Sequence, residues 1–278
     1  MHEPNPIDVA AKASGEPEFR EVGVGPWNET HPGTPRPDDP EHPDFDARFD
    51  TALLDEGDRR NVLDRYRYWS VDAIRDDLDA RGRHPFEVAI ENWTHDFNIG
   101  SIVRTANAFT ANRVHIVGPH KWNRKGALMT ELYQHVVHEP SIRMCVGGWR
   151  DGIARERRDA ERRLAAIADD ARSGRIDADD AQRALLYARR DMRVAEDAKV
   201  IAMDIIDGAV PIETYRFPER CLLLFGAEGP GLSQTALDLA DDVVYISQFG
   251  SVRSINAGAA AAVAMHAWIT QHAAVRPM

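Results

Sequence analysis

The stretch CLLLFGAEGPGLS at 221–233, followed by VVYISQFGSVRSINAGAAAAVAMHAW at 243–268, decides the fold. Each part begins with a short apolar run of strand length and passes directly into a loop that contains glycine. An alanine-rich helix follows the second loop, and Ser254 has the position and chemistry of its N-cap. Because open α/β sheets bind ligands in the loops that follow neighbouring strands, we expect a cofactor cleft here.

The same pattern of strand and loop occurs earlier in the chain. The apolar run 86–92 predicts a first core strand, 113–118 predicts a second, and the apolar residues in 136–146 favour a short extended segment. Between the first two strands, apolar residues recur at the spacing of a helix with one buried face: Ile99, Ile102, Val103, Ala106 and Phe109. A strand, a helix and a strand at this spacing form a βαβ unit, which requires a parallel sheet. The sequence therefore predicts an α/β fold.

Composition divides the chain into three regions. Residues 1–54 are acidic and rich in proline, which predicts a largely disordered extension. Residues 55–83 form an N-terminal helical segment, with one helix predicted over 56–69 and a second after it. Residues 84–278 then predict one α/β domain, into which a charged helical hairpin is inserted at about 152–197.

The net charge of −11 is unevenly distributed. Residues 1–60 hold 15 acidic and 6 basic side chains, whereas residues 95–150 hold 7 Lys or Arg against 3 Asp or Glu. This asymmetry is typical of a basic working surface with an acidic tail, although ordinary solvated surface would give it too. The segment KWNRKG at 121–126 combines cations with the ring of Trp122, which suits phosphate binding with base stacking, or simply a basic surface loop.

Several classes of protein do not fit this sequence. Cys145 and Cys221 are the only cysteines, and their spacing favours neither a disulfide framework nor a metal site, which suits a reducing, cytoplasmic location. No apolar run is long enough to cross a membrane, and the N-terminus lacks the pattern of a secretory signal. The motifs GxGxxG, GxxxxGK[ST], GxSxG and HExxH are absent, which disfavours the dinucleotide, P-loop, hydrolase and zinc-protease classes.

Three motifs remain, and each follows an apolar strand. They are N-x-G-x-I-x-R-T-A at 98–106, F-G-A-E-G-P-G-L-S at 225–233 and I-x-x-x-G-x-V-x-S-I-N at 246–256. In this order they resemble the signature motifs of the SpoU (TrmH) family of RNA ribose 2′-O-methyltransferases, in the SPOUT superfamily. The resemblance covers about 84–150 and 198–272.

The resemblance implies a mostly parallel sheet with helices on both faces and a deep C-terminal trefoil knot. It further implies a homodimer that uses S-adenosylmethionine, without a metal, to methylate tRNA or rRNA. The positions that match the family's cofactor-binding residues are Leu224, Gly226, Ile246, Ser254 and Ile255. The positions that match its catalytic site are Asn98, Arg104, Glu228, Ser254 and Asn256. Because a guanidinium is always protonated, we expect Arg104 to bind phosphate and stabilise developing oxyanion charge rather than act as a base.

The chain departs from the family pattern at a few positions. The usual proline before the first-motif asparagine is absent from 94–97, Ser247 stands where proline is frequent, and Ile255 replaces leucine. None of these changes removes a polar residue that the chemistry needs, so we expect an active enzyme. Two alternatives are a non-catalytic RNA-binding or assembly protein on the same fold, and a SPOUT enzyme that methylates a base nitrogen.

Overall fold

The computed structural model describes residues 5–16, 22–93, 98–227 and 229–274. Contacts divide the chain into two units, Met1–Ala73 and Ile74–Met278, which are taken separately below. The domain boundaries predicted at 54 and 83 stay a prediction. Helices that lie or begin in the first unit are α1 (Pro6–Ser14), α2 (Trp27–Thr30), α3 (Thr51–Glu56) and α4 (Val71–Ala80).

The first unit differs from the expectation of disorder, because its described part carries helices and a local aromatic cluster. Trp27 stacks on His31 with 3.8 Å between ring centroids. The helix predicted over 56–69 is not formed, since α3 ends at Glu56 and only a 3-10 turn at Asp64–Tyr66 follows. Buried Asp58 explains this, because its carboxylate accepts hydrogen bonds from the backbone N–H groups of Arg60 and Tyr68, both at 3.0 Å.

The second unit is built on one parallel sheet of seven strands, which confirms the predicted α/β class. The strand order is β3-β2-β1-β6-β4-β7-β5, and each neighbouring pair is parallel. The strands are β1 (His84–Glu91), β2 (Ala111–Val117), β3 (Val136–Glu139), β4 (Lys199–Met203), β5 (Val210–Pro211), β6 (Cys221–Phe225) and β7 (Asp242–Tyr245). The helices are α5 (Asn98–Ala108), α6 (Ile142–Arg172), α7 (Ala178–Glu196), α8 (Gln234–Leu239) and α9 (Ala257–His272).

Helices cover both faces of the sheet. Alternate residues of one strand point to opposite faces, and on β6 Leu223 packs in one apolar cluster while Leu222 and Leu224 pack in another. The first cluster includes residues of α5 and α9, and the second includes residues of α6 and α8. The two cysteines are free, buried and divided between the faces, with Cys221 in the first cluster and Cys145 in the second.

The helical hairpin predicted between the sheet elements is formed by α6 and α7. It begins earlier than expected, because the Ser141 side chain accepts a hydrogen bond from Met144 N at 3.2 Å and so caps α6 at Ile142. The extended segment predicted for 136–146 is therefore only the strand β3, and residues from Ile142 onward are helical. Asp177 caps α7 in the same way through Asp180 N, at 2.9 Å.

A buried ion-pair network ties β1 to the amino end of β6. The Glu87 carboxylate lies 2.8 Å from His115 Nε2 and 3.0 Å from Arg220 Nη1, and the other side of the Arg220 guanidinium binds Glu156 at 2.9 Å. Burial alone would raise the pKa of Glu87, but the His115 hydrogen bond and the Arg220 charge outweigh it and lower that pKa to about 2. The network therefore holds Glu87 ionised inside the fold.

Candidate active site

A cavity of about 660 Å³ lies where β4, β6 and β7 end. These three strands are neighbours and parallel, so the loops that follow Met203, Phe225 and Tyr245 meet at one edge of the sheet, as ligand-binding loops do in open α/β folds. Residues that line the cavity are 203–205, 225–227, 229–232, 244–246, Gln248, 253–257 and Ala260.

The second motif forms a loop that folds back on itself at Gly226. A Cβ atom on Gly226 would lie 2.0 Å from the backbone carbon of Gly231 and 2.2 Å from Leu232 N, so no other residue fits there. Gly231 adopts φ +73°, which favours glycine, and its N–H donates to Ala227 O at 3.0 Å. Glu228, predicted as a catalytic residue, lies outside the described residues.

Asp204, at the end of β4, was missed by the sequence reasoning. Its Oδ1 accepts a hydrogen bond from Ile205 N at 2.7 Å, and its Oδ2 accepts one from Leu232 N at 3.4 Å. The carboxylate thus links β4 to the glycine loop and also lines the cavity. An aspartate directly after an apolar strand was the only available signal.

Gln248 is a second residue that sequence reasoning missed. It lines the cavity, and its Oε1 is buried without a hydrogen-bond partner among the described residues. Buried polar atoms are nearly always hydrogen-bonded, and an orphaned one needs an explanation such as a bound molecule. The carbonyl oxygen of Gln248 is therefore suited to accept a hydrogen bond from a ligand.

The first and third motifs meet through two asparagines. Asn256 Nδ2 donates to Asn98 Oδ1 at 2.8 Å, which joins the start of α5 to the start of α9. Asn256 Oδ1 also accepts from Ala259 N at 3.2 Å, so Asn256, and not Ser254, is the N-cap of α9. The predicted cap was wrong because α9 begins three residues after Ser254, which is exposed and lines the cavity.

The predicted site residues that the structure describes fall into two groups, those that line or contact the cavity and those that do not. Gly226, Ile246, Ser254, Ile255 and Asn256 line the cavity, and Asn98 contacts it through Asn256.

Two predicted site residues do not line the cavity. Leu224 is completely buried in the apolar cluster with α6 and α8, so the residue that lines the cavity on β6 is Phe225. Arg104 is exposed on α5 and has no ion-pair or hydrogen-bond partner among the described residues. Its side chain is therefore available to a molecule outside this chain.

For the basic segment 121–126, the structure does not support the base stacking that its composition suggests. Trp122 is only 9% exposed and belongs to the main apolar cluster, so its ring is not free to stack on a base. Arg124 lies over that ring at 5.9 Å from the centroid.

Over 5–16, 22–93, 98–227 and 229–274, no group of His, Cys, Asp or Glu could hold a metal ion, and no helix is suited to crossing a membrane.

Comparison with known proteins gives a family match in the C-terminal part of the chain and two similar curated proteins. Residues 177–266, which contain the second and third motifs, match the model of the SpoU rRNA Methylase family. The tRNA (guanosine(18)-2′-O)-methyltransferase of Saccharomyces cerevisiae is 35% identical over 78 residues, which is 28% of this chain and 5% of the relative. The 23S rRNA (guanosine-2′-O-)-methyltransferase RlmB of Acinetobacter baylyi is 32% identical over 68 residues, 24% of this chain and 27% of the relative. This chain thus spans well under a third of either relative's length.

One solved structure extends the comparison to the fold. The TrmH/SpoU tRNA modifying enzyme of A. aeolicus superposes with a TM-score of 0.50 at 13% identity, over 72% of this chain and 81% of that one. At this identity the likeness concerns the fold alone. Together with the family match, these relatives confirm the resemblance to the SpoU family that the three motifs predict.

Proposed function

We propose that this chain, which resembles the SpoU family, is an S-adenosylmethionine-dependent enzyme that methylates a ribose 2′-hydroxyl in tRNA or rRNA. The observation that carries the proposal is the meeting of the three motifs at one cavity. The glycine loop at Gly226 and the third motif form its walls, and the Asn98–Asn256 hydrogen bond attaches the first motif. Both curated relatives are named as RNA 2′-O-methyltransferases.

The cavity fits a molecule of the size and polarity of S-adenosylmethionine. Its volume of about 660 Å³ falls within the roughly 300–1,000 Å³ of small-molecule pockets. Phe225, Ile246 and Ile255 supply apolar surface for an adenine ring, while Asp204 and the unpartnered Gln248 Oε1 supply acceptors for amino and hydroxyl groups. Gly226 contributes backbone to the cavity wall, where its lack of a side chain lets the chain pass close to Gly231 and Leu232. Bound there, S-adenosylmethionine supplies a methyl group activated by its sulfonium.

Arg104 is proposed to act on the RNA rather than on the cofactor. A ribose hydroxyl needs accurate alignment with the methyl group, because positioning contributes much of the rate of a direct displacement. The Arg104 guanidinium can bind the phosphate beside that ribose in bidentate fashion and stabilise the charge that develops on the attacking oxygen. A guanidinium has five donors and no acceptor, so Arg104 is not assigned the role of taking up the hydroxyl proton.

The finer architecture is part of the same proposal. We infer a C-terminal trefoil knot, because the chain resembles the SpoU family, whose fold has such a knot. We also infer a homodimer in which Arg104 of one subunit faces the cofactor cavity of the other. Arg104 is exposed, lies away from the cavity of its own chain and has no side-chain partner within 5–16, 22–93, 98–227 and 229–274, which supports this arrangement. A cytoplasmic location, where both RNA and cofactor are available, completes the proposal.

The proposal is tested with purified protein, methyl-labelled S-adenosylmethionine and unmodified tRNA and rRNA transcripts. After nuclease digestion, mass spectrometry locates the label. We expect a 2′-O-methylated nucleoside from one of the two RNAs. Label on a base nitrogen would instead identify a base-methylating enzyme, and binding of the cofactor without any transfer would favour a non-catalytic RNA-binding protein.

A further inference from the structure

The loop after β7 exposes an aromatic ring beside the cavity. Phe249 is 98% exposed, more than any other large apolar residue that the structure describes, and Val252 in the same loop is 62% exposed. Exposing a phenylalanine ring to water is unfavourable, since burying such a side chain is worth about 1.5–3 kcal/mol. The ring belongs neither to the core nor to the cavity wall, so packing within the fold does not explain a phenylalanine at this position.

The residues around Phe249 place this part of the loop next to the cavity. Gln248 and Arg253, on either side of it in sequence, both line the cavity. At the start of the loop, Ser247 Oγ donates to Glu213 Oε2 at 2.9 Å and holds the chain as it leaves β7. Phe249 therefore stands next to the cavity wall, and a group stacked on its ring lies close to the cavity.

Charge in the loop favours one kind of partner. Residues 247–253 contain one cation, Arg253, and no acidic residue. Arg253 is exposed and has no ion-pair or hydrogen-bond partner in the described part of the chain. Two arginines of the helical hairpin differ, since Arg163 binds Asp191 at 2.8 Å and Arg190 binds Glu219. An exposed aromatic ring beside a free arginine is the combination by which proteins bind unstacked RNA bases and their phosphates.

A protein partner fits these observations less well. Protein interfaces have an apolar core made of several residues, whereas Phe249 and Val252 are separated by glycine and serine and flanked by serine, glutamine and arginine. We propose that Phe249 stacks on a nucleobase adjacent to the methylated ribose, while Arg253 binds the neighbouring phosphate. This inference rests on the proposed function, and it names the residues that position the RNA.

The test uses Phe249→Ala, with Phe249→Tyr as the conservative variant and Leu186→Ala as the control, because Leu186 is also an exposed apolar residue but lies in α7, outside the motifs. The unmodified tRNA and rRNA transcripts serve as ligands. Stacking on one aromatic ring is worth about 1–3 kcal/mol per base. We therefore expect Phe249→Ala to raise the Kd for the RNA that the enzyme methylates, and its KM, by about tenfold to a hundredfold. Phe249→Tyr and Leu186→Ala should stay within about twofold, and all three variants should bind S-adenosylmethionine like the parent.

Arg253 has a separate readout. A phosphate contact contributes about one to the slope of log Kd against log salt concentration, so Arg253→Ala should lower that slope by about one. Unchanged RNA affinity in Phe249→Ala would overturn the proposal while leaving the proposed function intact. A fall in molecular mass of Phe249→Ala by light scattering would also overturn it, because the ring would then contact a second copy. Loss of the proposed function itself would appear as absent transfer by the parent protein.

Discussion

The arginines near the two ends of the sheet differ in whether their side chains form ion pairs. Near the amino end of β6, the Arg220 side chain is only 11% exposed and binds Glu87 and Glu156 on its two sides. At the carboxyl-end cavity Arg253 has no partner among the described residues, and neither has Arg104 on α5. When a guanidinium is paired inside the fold, removing one partner leaves its charge uncompensated and destabilises the protein. A free guanidinium contributes little to the fold and remains available to an anion.

This contrast separates the residues that hold the protein together from those that act on ligands. Removing a partner at the amino end is expected to change stability and to leave ligand affinity alone. Changes at the cavity are expected to do the reverse, except where the backbone itself is constrained. The predictions below test that separation.

The largest effect is expected at Gly226, which lines the cavity and also allows a close backbone contact that the fold requires. Gly226→Ala places a Cβ atom 2.0 Å from the backbone of Gly231, so the cavity loop must move. We expect binding of S-adenosylmethionine to become undetectable by calorimetry, together with a clear fall in Tm. Gly147→Ala is the control, because Gly147 is an exposed helical glycine with nothing within 4 Å of the added atom. Normal cofactor affinity in Gly226→Ala would contradict the assignment of the cavity.

The next largest effect is expected at Glu87. Glu87→Gln leaves Arg220 buried without its full counter-charge, which costs about 3–5 kcal/mol of the free energy of unfolding. Urea denaturation measures this change. The matched control is Glu161→Gln, which breaks an exposed pair with Arg157 at 3.0 Å and should cost about 0–1 kcal/mol. Equal costs in the two variants would contradict the buried role of Glu87.

The same carboxylate predicts a pH dependence. Its pKa is about 2 in the fold against an ordinary value of 4.5, so it stabilises the fold fully above pH 4.5. That contribution, about 3 kcal/mol, is lost as the pH falls from 4.5 to about 2. The parent protein should therefore lose more stability across this window than Glu87→Gln does.

A functional effect without a stability effect is expected at Arg104. Arg104→Ala should lower methyl transfer by about 10²-fold or more, as loss of an oxyanion-stabilising donor does. Cofactor affinity should stay within a few-fold of the parent value, because Arg104 does not line the cavity of its own chain. Arg113→Ala removes another exposed arginine, from β2, and should retain activity. Retained activity in Arg104→Ala would exclude the role proposed for it.

The smallest effect is expected at the start of α9. Asn256→Ala removes the N-cap of α9 and the bond to Asn98, and loss of a cap costs about 1 kcal/mol. Ser254→Ala should leave the free energy of unfolding unchanged, since Ser254 caps nothing in the structure. Chemical denaturation of both variants decides which residue is the cap.

Much of the α/β body could be predicted from sequence, because its central strands are largely buried. Strand β6 is one continuous apolar run, and β1 and β2 are mostly apolar, which is the pattern of core strands. The region before them was harder. A single buried carboxylate, Asp58, takes up backbone N–H groups that a helix would otherwise use, and composition does not record which aspartate becomes buried.

Residues that line the cavity could be predicted where the backbone conformation requires a particular residue. They were harder to predict where the direction of a side chain decides. Glycine at 226 and asparagine at 256 were readable from the motifs. Side-chain direction was not, since Leu224 and Phe225 are adjacent and both apolar, yet only Phe225 lines the cavity. Asp204 and Gln248 reach the site because separate strands end at the same edge, which is a property of strand order and not of any local pattern.

The two buried cysteines can be used to measure when the helices on each face of the sheet separate from it. Burial raises the pKa of Cys145 to about 12 and raises that of Cys221 as well, so neither thiol is a nucleophile while the fold is closed. Cys145 lies on α6 itself, in the apolar cluster that includes α8, and Cys221 lies on β6, in the cluster that includes α5 and α9. Alkylation of each, followed by peptide mass spectrometry, therefore times the exposure of one face of the sheet independently of the other.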